Sequence, residues 1–106
     1  MAVVGVSNVT IKPDRMEDYI EKVARPAKTL LEKYGTKNVR LLAAVVAGET
    51  TGSVAFISET DDFAASGAVL DKLFTEPDGM ALMAAVNAGD GPMAGYQLSF
   101  WVDIPL

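Results

Sequence analysis

The chain has 106 residues, half of them apolar, and its 14 acidic and 9 basic side chains give a net charge of −5. It contains neither histidine nor cysteine, which excludes disulfides, thiolate nucleophiles, zinc fingers, His-ligated haem and Ser-His-Asp triads. The length predicts a single domain that spans residues 1–106.

The first predicted elements are a strand and a long helix. Residues 2–11 are rich in valine and predict a strand. Pro13 and the acids that follow it mark a helix N-terminus, and apolar residues then recur at the helical period as far as Tyr34. Gly35 is predicted to end this helix in a left-handed conformation. Pro26 lies inside the pattern, so we expect a kink there.

A hairpin is predicted next. Residues 38–47 form a strand with apolar side chains on both faces, which indicates burial on both sides. Residues 48–52 predict the hairpin turn, and residues 53–59 predict the third strand. The hairpin connects two neighbouring antiparallel strands.

Two helices and a final strand complete the chain. Asp61 and Asp62 are typical of a helix start, and that helix is predicted to run to about residue 74. We expect its apolar side to carry Phe63, Gly67, Leu70 and Phe74. Pro77 opens a shorter helix that ends near residue 87. Residues 94–104 predict a strand in which Trp101 faces away from the row formed by Tyr96, Leu98, Phe100, Val102 and Ile104.

The predicted order is β-α-β-β-α-α-β, an α+β arrangement. Its split βαβ units favour the ferredoxin-like plan, a four-stranded antiparallel sheet with helices on one face. The helix-free face would then carry Trp101 and apolar side chains of the second strand. A soluble monomer rarely exposes such a patch, so we expect a homodimer in which two sheets pack face to face.

Two short motifs carry a resemblance to a known family. Ile11-Lys12-Pro13-Asp14 joins the first strand to the long helix, and Thr75-Glu76-Pro77-Asp78 precedes the short helix. This layout resembles the dimeric α/β-barrel superfamily, including antibiotic-biosynthesis-monooxygenase-like and NIPSNAP-like domains. The resemblance implies that two sheets close into a barrel across a dimer. It also implies a pocket in each subunit, between sheet and helices or inside the barrel.

The resemblance implies several possible functions, and the amino-acid composition argues against some of them. The superfamily includes haem-dependent enzymes and His-Tyr cyclases, which the absence of histidine argues against. The remaining enzymatic hypothesis is a monooxygenase that uses no cofactor, in which an electron-rich aromatic or apolar substrate itself activates oxygen. Small-molecule binding without turnover is the broader hypothesis. The alternative is a non-catalytic dimerisation or stress-associated module.

Six residues are candidates for lining a pocket, and each has a structural interpretation as well. Trp101 and its polar neighbours on the last strand match either a ligand-stacking surface or a dimer interface. Asn8 is unusual within a valine-rich strand, Arg40 lies near the start of the second strand, and Tyr34 is the last apolar residue of the helix pattern. Each of the three could contact a ligand or have a purely structural role. The candidates are Asn8, Tyr34, Arg40, Gln97, Ser99 and Trp101. No metal site is predicted.

Partners and location follow from charge and hydropathy. Eight of the nine basic residues lie in residues 12–40, interleaved with five acids as on a solvated helix face. An acidic chain without a basic, aromatic surface predicts no nucleic-acid partner. The longest apolar run, residues 41–47, is far shorter than the ~20 residues that cross a bilayer. We therefore expect a cytoplasmic protein without a membrane partner.

Overall fold

The structure is a computed structural model that describes residues 1–45 and 52–106. In chain order its elements are β1 (Val3–Ile11), α1 (Met16–Tyr19), a π-helical turn (Ile20–Ala24), α2 (Arg25–Lys33), β2 (Lys37–Ala43), β3 (Val54–Thr60), α3 (Phe63–Thr75), α4 (Pro77–Val86) and β4 (Met93–Val102). The predicted order β-α-β-β-α-α-β is confirmed. The predicted hairpin turn falls largely on residues outside the described ranges.

The four strands form one antiparallel sheet in the order β2-β3-β1-β4. The side chains of β1, an inner strand, alternate strictly between the two faces of the sheet. Its odd-numbered residues, which include Val3 and Val9, face the helices. The even-numbered residues of β1 lie on the face that no helix covers. The predicted sheet with helices on one side is therefore confirmed.

The long first helix passes Pro26 without ending. Its α-helical hydrogen-bonding pattern gives way to the π-helical turn at Ile20–Ala24, and α2 then starts with Pro26 in its first turn. Proline lacks the N–H that an α-helix needs at that position, and a π-helical turn is a common local adjustment. The interruption predicted at Pro26 thus lies one turn earlier. Gly35 follows the helix with a φ of 110°, as predicted for a left-handed cap.

Two apolar clusters form the core, the first between the long helix and the sheet and the second between helices. One joins Tyr19, Val23 and Ala24 of the first helix to Val9 and Val54 of the sheet. The other joins the end of α2 to α3 through Leu30, Tyr34, Val69 and Leu73. Tyr19 is only 1% exposed and is the largest fully buried side chain of the described residues.

The buried side of α3 differs from the predicted one. Asp62 caps the helix as expected, since its side chain accepts a hydrogen bond of 2.7 Å from the backbone N–H of Ala65. However, Phe63 and Phe74 are 64% and 62% exposed. The helix instead buries Ser66, Val69 and Leu73, which share another face of the same helix.

The prediction that the second strand is buried on both faces is wrong for the single chain. Val39 is the buried residue of β2, and Leu42 is 45% exposed. The reason is topological, because β2 lies at an edge of the sheet and no helix covers its second face. Asn38 adopts a φ of 53° where the β2–β3 register shifts, which is typical of a bulge.

The α3–α4 contact depends on a glycine. A Cβ atom on Gly79 would lie 2.6 Å from both Leu73 Cα and Lys72 O, which are backbone atoms of α3 that cannot swing away. Any side chain at position 79 would therefore push the two helices apart.

We predict that Gly79→Ala lowers the free energy of unfolding by about 1–3 kcal/mol, the usual cost of overpacking. The matched control is Gly67→Ala on α3, where a Cβ meets nothing within 4 Å. That change should stabilise the helix by roughly 0.5–1 kcal/mol. Urea denaturation of the two variants measures the difference, and equal effects would contradict the packing argument.

Candidate functional site

The space between the sheet and the helices contains two adjoining cavities of about 120 and 190 Å³. They share part of their walls, so we treat them as one site and call it the inner pocket. The shared residues come from β1, α2, β3, α3 and β4: Ser7, Leu31, Phe56, Leu70, Leu73 and Leu98. Every one of those elements therefore contributes to one concave site, the usual setting for a small ligand.

Small residues on the central strand leave the floor of the inner pocket open. Gly5 pairs with Ser58 of β3 on one side and with Phe100 of β4 on the other. A Cβ atom at position 5 would lie 3.3 Å from Ser58 Oγ and 3.5 Å from Phe100 Cε1. Glycine thus keeps free a volume that any other residue would partly fill.

The two ends of the inner pocket differ in polarity. The smaller cavity is lined by five hydroxyl side chains, Ser7, Thr36, Ser58, Thr60 and Ser66. The larger one is almost entirely apolar, with walls that include Val9, Val23, Ala27, Phe74, Met83, Val86 and Met93. No charged residue is among the described residues that line either cavity.

Thr36 stands out among the hydroxyls of the smaller cavity. The residue is 8% exposed, and its Oγ1 is buried without a hydrogen-bond partner in the described part of the chain. Thr60, by contrast, donates a hydrogen bond of 3.2 Å to the carbonyl of Asp62. Buried polar groups nearly always have a partner, so the Thr36 hydroxyl retains unused hydrogen-bonding capacity.

Two aromatic hydroxyls line the larger cavity, those of the buried Tyr19 and the more exposed Tyr96. Burial raises the pKa of Tyr19 to about 12, because the protein interior disfavours the phenolate. The side chain therefore stays protonated at neutral pH and can donate a hydrogen bond, but it does not serve as a base. The described lining residues thus offer an environment without charged side chains.

Four of the six predicted site residues lie together on the helix-free side of the sheet. Asn8 pairs with Gln97, and the Trp101 indole donates a 2.8 Å hydrogen bond to Ser99 Oγ, which lies 3.4 Å from the carbonyl of Val6. We call this side the open sheet face; its members include Val4, Val6, Asn8, Leu42, Ile57, Gln97, Ser99 and Trp101. Trp101 is 61% exposed there and faces away from the inner pocket.

The other two predicted residues lie on different sides of the sheet, because Arg40 pairs with Ile57 of the open sheet face and Tyr34 lies on the helix side. Arg40 donates a 3.1 Å hydrogen bond to the carbonyl of Asn38 and borders a separate cavity of about 180 Å³ beside the first helix. Tyr34 belongs to the second apolar cluster, where burial and then the nearby Glu76 carboxylate raise its pKa. Neither residue lines the inner pocket.

Solved structures with this arrangement share little sequence with the chain. A NIPSNAP family protein from Agrobacterium tumefaciens superposes with a TM-score of 0.74 at 8% identity, covering 98% of this chain and 94% of that one. A dabb family protein from Mesorhizobium loti, described as having a ferredoxin-like fold, gives 0.71 at 16% identity and covers 98% of each chain. The chain has a ferredoxin-like fold.

A third ferredoxin-like neighbour is an enzyme. SnoaB, a cofactor-independent oxygenase from Streptomyces nogalater, superposes with a TM-score of 0.65 at 18% identity, covering 99% of this chain and 95% of that one. The resemblance predicted from the two motifs is thereby confirmed at the level of the fold. No protein-family model and no curated protein matches the sequence.

The residues that line the inner pocket of this ferredoxin-like chain were not predicted as a site. Gly5 and Ser7 interrupt the valines of β1, and Ser58 occupies the matching position on β3. A glycine inside a strand signals a close approach of other groups, which is the sequence feature that points to this position. Which hydroxyls share one cavity depends on the strand register and on helix packing.

Metal and membrane sites were also sought over residues 1–45 and 52–106. These residues contain no group of three or more acidic side chains placed to hold a metal ion. None of their helices combines the length and the apolar character needed to cross a bilayer.

We predict that Thr36→Val raises the free energy of unfolding of the unliganded protein by about 1 kcal/mol. Valine has nearly the same shape and removes a buried hydroxyl that has no partner within residues 1–45 and 52–106. The measurement is urea denaturation beside Thr29→Val, a matched change on an exposed residue of α2. If Thr36→Val instead lowered the free energy of unfolding by more than about 1 kcal/mol, the contribution of a typical hydrogen bond, the hydroxyl would have a hydrogen-bond partner.

Proposed function

We propose that this protein binds a small apolar or aromatic molecule in the inner pocket, with cofactor-independent monooxygenase-type turnover as its enzymatic form. The observation that carries the proposal is the inner pocket itself, which lies between the sheet and the helices and is lined largely by apolar side chains. Such a site gains most of its affinity from the apolar surface of the ligand. The cytoplasmic location expected from the sequence belongs to the same proposal.

The chemistry of an oxygenase without a cofactor fits a pocket that lacks acid–base groups. When an activated ring CH₂ becomes a carbonyl, the substrate gives up four electrons, and these reduce O₂ to the inserted oxygen atom and one water. The substrate thus supplies the electrons and O₂ accepts them, while the protein positions the substrate and excludes water. The fold likeness to SnoaB supports the proposal by analogy of architecture.

We further propose that the protein is a homodimer in which two open sheet faces pack together and close a barrel. Trp101 and Leu42 are the most exposed large apolar side chains on that face. Apolar patches rimmed by polar groups are typical of interaction surfaces. An isologous pair of such faces would cover both patches at once.

The open sheet face also favours a second candidate function, a non-catalytic module whose purpose is dimerisation. In that case the inner pocket would be a packing gap, and no ligand would bind in it. Binding assays therefore separate the two candidates, because both expect a dimer and only the first requires an occupied pocket.

We predict that Gly5→Ala weakens the binding of naphthalene and 2-naphthol about fivefold or more. The added methyl group forces Ser58 Oγ, which would be 3.3 Å away, further into the pocket, at a cost of about 1–3 kcal/mol. Ligand fluorescence measures binding, and Gly67→Ala serves as the control because its Cβ meets open space. An unchanged affinity in folded Gly5→Ala would contradict binding at this site.

Turnover is tested separately with an oxygen electrode and a panel of hydroquinones and anthrones. The oxygenase proposal expects protein-dependent oxygen uptake that Gly5→Ala diminishes and Gly67→Ala does not. Binding without any oxygen uptake across the panel would reject the enzymatic form and leave a binding protein.

For assembly, we predict that the wild-type chain sediments as a dimer at micromolar concentration and that Trp101→Lys shifts it to monomer. A lysine on each of two facing sheets would be buried without a partner, which is strongly unfavourable. Phe63→Lys is the matched control, since Phe63 is a comparably exposed aromatic residue on α3. A monomeric wild type would overturn the dimer proposal.

A further inference from the structure

We infer that the inner pocket selects a neutral ligand with two unlike ends, an apolar body and one hydrogen-bonding group held by the hydroxyls around Thr36. This inference rests on the proposed function, and it goes further by naming the ligand class and its orientation. Phenols, alcohols and ketones of small apolar ring systems are the compounds that match.

The orientation follows from the uneven distribution of polar groups. The smaller cavity brings together hydroxyls from β1, β3, α3 and the start of β2, whereas the larger cavity is walled mainly by aliphatic and methionine side chains. Because the two cavities adjoin, a molecule that spans them would place its polar group among the hydroxyls. In the reverse orientation that group would face mainly apolar side chains, and the hydroxyls within that wall would be those of Tyr19, Tyr96 and the shared Ser7.

Thr36 is the hydroxyl with the clearest capacity for a ligand. It lies between α2 and β2, where its backbone N–H donates a 3.0 Å hydrogen bond to the carbonyl of Leu31. Its Oγ1 is buried and has no partner in the described ranges, while Thr60 already donates to the carbonyl of Asp62. Ser58 lies above the glycine floor of the same cavity. A ligand oxygen between Thr36 and Ser58 would restore the missing hydrogen bond.

The neutrality of the ligand follows from the lining. No acidic or basic side chain is among the described residues of either cavity, and the nearby Tyr19 stays protonated. An ionised ligand would enter without a counter-charge, which is costly in a site of low polarity. Hydroxyl side chains both donate and accept, so they suit a ligand hydroxyl and a ligand carbonyl equally.

The test uses three probes of similar shape: naphthalene, 2-naphthol and 2-naphthoate. Their dissociation constants are measured by ligand fluorescence for the wild type, Thr36→Val and Ser58→Ala. The quantity compared is the ratio of the naphthalene constant to the 2-naphthol constant, because a ratio between variants cancels the hydration of the probes. We expect Thr36→Val to lower this ratio about tenfold and to leave naphthalene binding within about twofold.

Thr29→Val is the matched control and should leave the ratio unchanged, since Thr29 lies on the exposed side of α2. A ratio that neither Thr36→Val nor Ser58→Ala alters, with naphthalene still bound, would overturn the orientation and leave the proposed function standing. Binding of 2-naphthoate as tight as that of 2-naphthol would overturn the neutrality. Failure of the wild type to bind naphthalene and 2-naphthol would reject the proposed function, and this inference with it.

Discussion

The structure depends on the uneven size of the side chains that β1 presents to the helices. Val3 and Val9 are almost completely buried, whereas Gly5 and Ser7 between them are small. The first helix packs on Val9, and the small middle of the row leaves the inner pocket beneath the helices. Protein interiors normally fill such gaps to crystal-like density, so an unfilled space of this size above the central strand is a notable property of the chain.

The two faces of the same strand meet different physical demands. On the helix side, burial drives packing and leaves a cavity whose polar side chains, among the described residues, are hydroxyls. On the open sheet face, Val4 and Val6 alternate with those residues and lie beside Trp101 and Ile57. Because successive side chains of β1 point to opposite faces, the inner pocket and the open sheet face lie on the two sides of the same sheet.

Much of the fold was predictable because its signals are local. Asp62 as a cap, Gly35 as a left-handed C-terminus and Pro77 at a helix start each act within a few residues, and each is confirmed. The misassigned face of α3 arose because Phe63 and Phe74 are large and apolar, yet Val69 and Leu73 are the residues that pack against the end of α2. Residue type does not reveal which side of an apolar helix finds a partner.

By itself, the sequence determined the order of elements, the alternation of the strands and the absence of histidine and cysteine chemistry. These properties depend on neighbours along the chain or on composition alone. Only the tertiary structure decided that Gly5, Thr36 and Ser58 border one cavity. The reason is that a pocket is formed by residues far apart in sequence, and strand register and helix packing bring them together.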